Sequence, residues 1–200
     1  MDFAATPVLE NDIVRLEPLR PAHSDDLAAA VATDDLWRTW YTRIPAPERM
    51  VEEIQRRLAE QEAGRMAPWA VVDVASGQAI GMTTYLHIEP DHRRLEIGST
   101  WLGTAAQGTG INPAAKLLLL ERAFEVLGCI CVQLCTHWHN RQSRAAIARL
   151  GAKQDGVLRS HAIFPDGHVR DTVVFSIIEP EWPAVRLGLE ERLARRGAAG

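Results

Sequence analysis

Trp101-Leu102-Gly103-Thr104-Ala105-Ala106-Gln107-Gly108-Thr109-Gly110-Ile111-Asn112-Pro113 is the stretch on which the fold of this chain turns. An extended run over 93–102 enters it, and an apolar helix over 113–127, ended by Gly128, leaves it. The first backbone N–H groups of a helix have no partner within the helix, and the macrodipole adds partial positive charge there. Glycines in the preceding loop let the backbone approach an anion closely, so the unit can cradle a phosphate. Asn112 has the side chain of an N-cap, and Pro113 fits a first helical position. A well-capped helix after a glycine turn would carry the same residues, and from the loop alone the two readings stand level. The stretch is neither a Walker loop nor a dinucleotide fingerprint, because no Lys-Ser/Thr follows Gly110 and its strand is not at a chain start.

Upstream, 13–19 reads as a strand between prolines, and 21–32 as a helix with Leu27 and Val31 one turn apart. The segment 34–47 is irregular and holds Trp37, Trp40 and Tyr41; a second helix covers 47–63, with Gly64 as its C-cap. Strands follow at 69–74 and 78–86, joined by Ala75-Ser76-Gly77, before the run over 93–102. Downstream come a strand at 130–136, a helix at 141–150 ended by Gly151, and strands at 157–164 and 169–178 around Pro165-Asp166-Gly167. A basic-ended helix over 183–196 closes the chain. The order β-α-α-β-β-β-α-β-α-β-β-α gives an α/β fold without repeats or linkers, read as one domain over 1–200 with its core at about 10–180.

Composition narrows the function. The 200 residues are 46% hydrophobic and 24% charged, with a net charge of -4, which argues against nucleic acid as a partner. No apolar run approaches the ~20 residues that span a bilayer, and the N-terminus lacks the pattern of a secretory signal. Three cysteines, at 129, 131 and 135, do not make a disulfide framework. A cytoplasmic protein that works without a membrane is expected.

The motif Gln107-x-x-Gly110-x-Asn112 resembles the Q/R-x-x-G-x-G/A signature of the GNAT superfamily of acyl-CoA N-acyltransferases. Asn140-Arg141-Gln142-Ser143, followed by Leu150-Gly151-Ala152, is similar to the N-x-x-S motif of the RimJ/RimL-type branch. Together the two motifs are fairly specific, and the element order matches that fold over nearly the whole chain. The resemblance implies a single domain with a central mixed, mostly antiparallel sheet flanked by helices. It implies acetyl-CoA, or another short acyl-CoA, as co-substrate and an amine as acceptor, either a protein N-terminus or a small molecule. Gln107, Gly108, Thr109, Gly110, Ile111 and Asn112 would hold the coenzyme A diphosphate, the main chain of Trp101 and Leu102 would accompany the pantetheine arm, and Asn140 and Ser143 would complete the cofactor side. Asn112 stands where Gly or Ala is usual, and Pro113 removes one N–H from the helix mouth. A homodimer is left open.

Acyl transfer to an amine needs a base, donors for the developing oxyanion and a proton for the thiolate. Glu96 is the candidate base: it precedes Leu102 by six residues, hence on the same strand face by period-two alternation. A desolvated carboxylate there would accept a proton more readily; the competing reading pairs Glu96 with Arg93, Arg94 or a cation on another strand. Many members of the superfamily carry an acidic Tyr at a position that here is Ile147, which leaves Ser143 to support the thiolate. Ser143 reads equally well as the third residue of a helix capped by Asn140. The oxyanion would meet a backbone N–H near Leu102. Trp37, Trp40 and Tyr41 are the candidate acceptor-binding residues, against a reading in which Trp37 and Tyr41 pack in a short helix; Trp138 and His139 are further candidates for the cleft.

Cys129, Cys131, Cys135, His137 and His139 share strand parity, but a rise of ~3.3 Å per residue spreads them over roughly 33 Å. No metal site is expected from them. Mid-strand thiols in an apolar setting are also poor nucleophiles. Two other functions use the same residues: a non-catalytic acyl-CoA-binding or regulatory module, and a small-ligand binder in which the glycine loop only caps a helix.

Overall fold

The computed structural model describes residues 2–33 and 35–197; Asp34, the start of the irregular segment read from sequence, lies outside them. In chain order the elements are β1 (Leu9–Glu10), β2 (Val14–Pro18), α1 (Ser24–Ala32), α2 (Met50–Glu62), β3 (Met66–Asp73), β4 (Ala79–Glu89), β5 (Arg94–Leu102), α3 (Ile111–Glu121), β6 (Cys131–His137), α4 (Arg141–Ala148), β7 (Lys153–Ile163), β8 (Val169–Ile178) and α5 (Trp182–Gly197). All eight strands join one sheet in the order β1-β2-β3-β4-β5-β6-β8-β7. Among the described residues only the β5–β6 pair is parallel, which gives the mixed, mostly antiparallel α/β sheet.

Strand alternation sends apolar residues to two cores. On one face Leu16, Trp69, Leu95, Val132 and Val173 pack against Leu119 and Leu120 of α3, Ile147 of α4 and Leu189 of α5. On the other, Ala70, Val72, Met82 and Trp101 pack against Leu27 and Val31 of α1 and Met50 and Ile54 of α2. Arg57, fully buried, ties α2 to this second face: its Nη1 donates to Thr84 Oγ1 at 2.6 Å and its Nε to Glu53 at 2.7 Å. Among the described residues no helix is long and apolar enough to cross a membrane.

Three departures from the sequence reading matter for the site. First, α3 begins two residues earlier than its letters indicate. Gly110 is the N-cap, Asn112 and Pro113 are the second and third helical residues, and Ala114 N donates to Gly110 O at 3.0 Å. Proline fits there because the N–H it lacks would have no partner in a first turn. Capping falls instead to Thr109, whose hydroxyl accepts from Ile111 N at 3.3 Å and donates to Ala106 O at 2.6 Å. Second, the helix does not run on as α to Leu127: a π-helical stretch, Arg122–Val126, takes over, and Gly128, at φ +65°, ends it.

Third, β5 carries a bulge. Met82 faces Trp101 and Thr84 faces Gly98, so Thr83 alone opposes Ser99 and Thr100. Ser99 takes φ +46° to accommodate the extra residue. The alternation therefore slips by one: Leu102 joins the core of Leu95 and Ile97, whereas Trp101 joins that of Met82. Glu96, opposite Leu86, shares its face with Trp101 and not with Leu102, which corrects the period-two inference.

Candidate active site

The parallel pair β5–β6 is joined only at Arg94–Cys131, Leu95–Val132 and Glu96–Gln133. Beyond those positions β5 continues to Leu102 and β6 to His137 without pairing, so the strands part and open a cleft in the sheet. The loop before α3 lies at the end of one strand and the start of α4 at the end of the other. Between them Gln107 Nε2 donates to Leu102 O at 3.0 Å, and Gln142 Nε2 donates to Gln107 Oε1 at 3.1 Å. Among the described residues the amides of Gly108, Gly110 and Asn112 make no hydrogen bond to protein, whereas those of Gln107 and Ile111 are used locally. Gly108, at φ +73°, has open space where a Cβ would stand. These N–H groups at a helix mouth are donors suited to an anionic group such as a diphosphate.

Glu96 sits at the last paired position before the strands diverge and is 6% exposed. Its Oε2 lies 2.9 Å from Nδ1 of His87 on β4, a residue not picked out by sequence. The hydrogen bond to Glu96 raises the imidazole pKa of His87. Glu96 thus pairs with a histidine on another strand, one form of the competing reading, whereas Arg94 bonds Glu89 at 2.9 Å. Gly98 leaves room for the carboxylate, since a Cβ there would come within 2.7 Å of Glu96 Oε1. Across the cleft, burial and the Glu96 charge push the Cys135 thiol up, away from nucleophilic thiolate.

At the mouth of α4, Asn140 Oδ1 accepts from Ser143 N at 3.0 Å, so the capping arrangement is present. The Ser143 hydroxyl makes no hydrogen bond to protein among the described residues. Ile147 is buried in the core one turn on, so the position that the resemblance would give to an acidic tyrosine is filled by an aliphatic chain.

The segment between α1 and α2 folds over the far end of the cleft. The helical turn that holds Trp37 runs from Leu36 to Arg38 and ends before Tyr41, so Trp37 and Tyr41 do not form one helical stripe. Trp40 is central: its ring centroid lies 5.4 Å from Tyr41, 5.3 Å from His137, 5.4 Å from His139 and 5.5 Å from His168. Trp37 stands apart from Trp40, partly buried against the core of α1 and α2 as the packing alternative had it, with Arg38 4.7 Å over its ring and its edge on a surface cavity of about 590 Å³ that also touches Trp40, Arg43 and Phe164. Trp138 turns away beneath Arg144, whose Cζ is 4.2 Å from its ring, whereas His139 faces Trp40. Among the described residues no group of three or more His, Cys, Asp or Glu is arranged to hold a metal ion.

Under the bulge lies a lysine that sequence alone passed over, although it is the one charge within Ala114-Ala115-Lys116-Leu117-Leu118. Lys116 is 5% exposed and has no carboxylate neighbour among the described residues. Its Nζ donates to Thr100 Oγ1 at 2.8 Å and Thr83 Oγ1 at 3.3 Å, which are themselves 2.8 Å apart. Burial lowers its pKa to about 7.

Comparison with known proteins agrees with this geometry. Residues 14–153 match the acetyltransferase (GNAT) domain family. YdaF of Bacillus subtilis (strain 168), a candidate ribosomal N-acetyltransferase by its name, is 32% identical over 106 residues; the match spans 53% of this chain and 57% of that relative. A candidate acetyltransferase from T. thermophilus superposes with a TM-score of 0.84 at 35% identity, over 94% of this chain and 98% of the other. A GCN5-related N-acetyltransferase from Brucella melitensis gives 0.86 at 29% identity, over 94% and 86%. RimJ of Mycobacterium smegmatis, crystallised with CoA-disulfide, shares the fold at 0.77 and 22% identity, over 93% of each chain. With the family match covering well over half its length, and with the parted strands and open helix mouth in place, the chain belongs to the GNAT acetyltransferase family.

Proposed function

We propose that this acetyltransferase moves an acetyl group from acetyl-CoA directly to an amine, a protein N-terminus or a small molecule, in a ternary complex. The observation that carries the proposal is the parting of β5 from β6 beside a buried carboxylate, with unbonded amides at the adjoining helix mouth. Bound there, acetyl-CoA supplies the activated acyl group. Gln107, Gly108, Thr109, Gly110, Ile111 and Asn112 hold its diphosphate, with Gly108, Gly110 and Asn112 giving the unused N–H groups. Trp101 and Leu102 offer main chain along the cleft, and Asn140 orders the first turn of α4 so that the Ser143 hydroxyl faces the sulfur end. Glu96 takes the amine proton, and His87, hydrogen-bonded behind it, holds the carboxylate in place. Trp40 and Tyr41 line the acceptor side, with Trp37 at its outer approach. That RimJ, which shares this fold, was crystallised with CoA-disulfide supports coenzyme A as the ligand.

Ile147 in place of a tyrosine acid favours one competing function, a module that binds acyl-CoA without turnover. The two separate in an assay of thiol release from acetyl-CoA over a broad panel of primary amines. Transfer predicts release that needs an amine and tracks an acetylated product by mass. Binding of coenzyme A with no release for any amine would favour the module.

A further inference from the structure

The acceptor end holds a cation whose side chain pairs directly with no described residue. Along β8, Val173 and Phe175 enter the core of α3, so Arg170, Thr172 and Val174 point to the opposite face, that of Cys135 and His137. The Arg170 side chain forms no ion pair or hydrogen bond with any described residue, and its guanidinium lies beside the Phe164 ring, 6.0 Å from Cζ. Its Nε is sealed from solvent and lacks a partner, and no described residue takes a hydrogen bond from its terminal nitrogens.

The arginines around it differ. Arg38 pairs with Asp35 at 3.3 Å, Arg49 with Glu52 at 2.6 Å, Arg56 with Glu53 at 2.8 Å and Arg159 with Asp171 at 2.6 Å. Arg43 shares Arg170's situation: it donates to Ile163 O at 3.0 Å and lies 4.6 Å from the same Phe164 ring. Nearby acids are engaged elsewhere, Glu96 with His87 at 2.9 Å and Asp166 with His168 at 2.6 Å. Burial and then Arg170 itself lower the pKa of His137. Burial lowers that of Arg170, while Glu96 and Cys135 lie near enough to act on it electrostatically. A guanidinium half withdrawn from water, with unused donors in a planar fork, is built to receive a carboxylate.

On the acetyl-transfer reading above, we propose that the acceptor is an amine that also carries a carboxylate, with the carboxylate docked on Arg170, Arg43 at the entrance and the amine beside Glu96. The carboxylate fixes the acceptor's orientation so that only its amine end reaches the cleft. Free amino acids and peptides with an acidic side chain near the N-terminus both meet this requirement.

The test measures acceptor binding by calorimetry with the full chain saturated in coenzyme A, which avoids dependence on turnover. Alanine is compared with alaninamide, and an Ala-Asp dipeptide amide with its Ala-Asn counterpart; the pair that differs identifies the source of the carboxylate. The carboxylated member should bind more tightly. Arg170→Gln should weaken it by about 10- to 100-fold and abolish the preference, as expected for loss of a charged hydrogen-bond partner. Arg170→Lys should restore part of the loss, and coenzyme A affinity should stay level throughout. Equal binding of both members of each pair, or an Arg170→Gln effect that falls on coenzyme A, would overturn the proposal. Preferential binding without thiol release would uphold the carboxylate site and count against acetyl transfer instead.

Discussion

Glu96→Gln is expected to lower kcat/KM for the amine by about 100-fold or more while leaving acetyl-CoA affinity unchanged, the range a positioned general base supplies. The substitution keeps size and a hydrogen-bond acceptor for His87 but removes the negative charge and the basic lone pair. Glu96 is 6% exposed and bonds Nδ1 of His87 at 2.9 Å, so the side chain is held at the point where β5 and β6 part. Gly98 gives an independent route to the same position: a Cβ there would meet Glu96 Oε1 at 2.7 Å. Gly98→Ala should therefore displace the carboxylate and lower kcat to a smaller degree. Steady-state kinetics with calorimetry of acetyl-CoA binding reads both. Wild-type turnover in Glu96→Gln would remove Glu96 from the chemistry.

The second large effect concerns stability. Lys116 is buried among threonine hydroxyls without a counter-charge, and its pKa falls from 10.5 to about 7. Below pH 7 the lysine is charged in both the folded and unfolded chains, and the cost of burying the ammonium is felt in full. Between 7 and 10.5 the unfolded chain holds one proton more than the folded one, so this group makes stability rise with pH. The gap between 10.5 and about 7 corresponds to about 5 kcal/mol, most of it recovered by about pH 10. Lys116→Met should remove that rise and stabilise the protein at neutral pH. Thr83 and Thr100, 2.8 Å apart, can still satisfy one another. Urea unfolding of both proteins at several values from about pH 6.5 to about pH 10, taken as the difference between them, isolates this group from the histidines and cysteines. Parallel pH profiles would contradict the buried, unpaired ammonium.

Much of the fold was legible because its signals are local. Pro21 and Pro47 open the short turns that lead into α1 and α2, and glycines at positions 64, 128 and 151 and the turn at Pro165-Asp166-Gly167 fall at observed boundaries, whereas Pro113 lies two residues inside α3. The bulge was not legible, because the residue at φ +46° is Ser99 rather than a glycine, and it is imposed by the register with β4. That one slip reversed the face assigned to Leu102 relative to Glu96. The two-residue β1 is too short to show a period. Asn112 and Pro113 suit a helix start at more than one register, and Thr109 decided which one forms. Trp40 and Tyr41 do gather at the cleft, but His87, His168 and Arg170 come from separate strands and a turn, and no spacing in the chain predicts that they meet.

Everything in the mechanism depends on the loop from Gln107 to Asn112 taking a diphosphate on its unbonded amides. The direct measurement is a calorimetric titration of coenzyme A beside pantetheine, which has the same arm and thiol but no diphosphate. Tight binding of coenzyme A with little or none of pantetheine is the predicted result. Equal affinity for the two, or no heat with coenzyme A at millimolar concentration, would show that the helix mouth is only a cap.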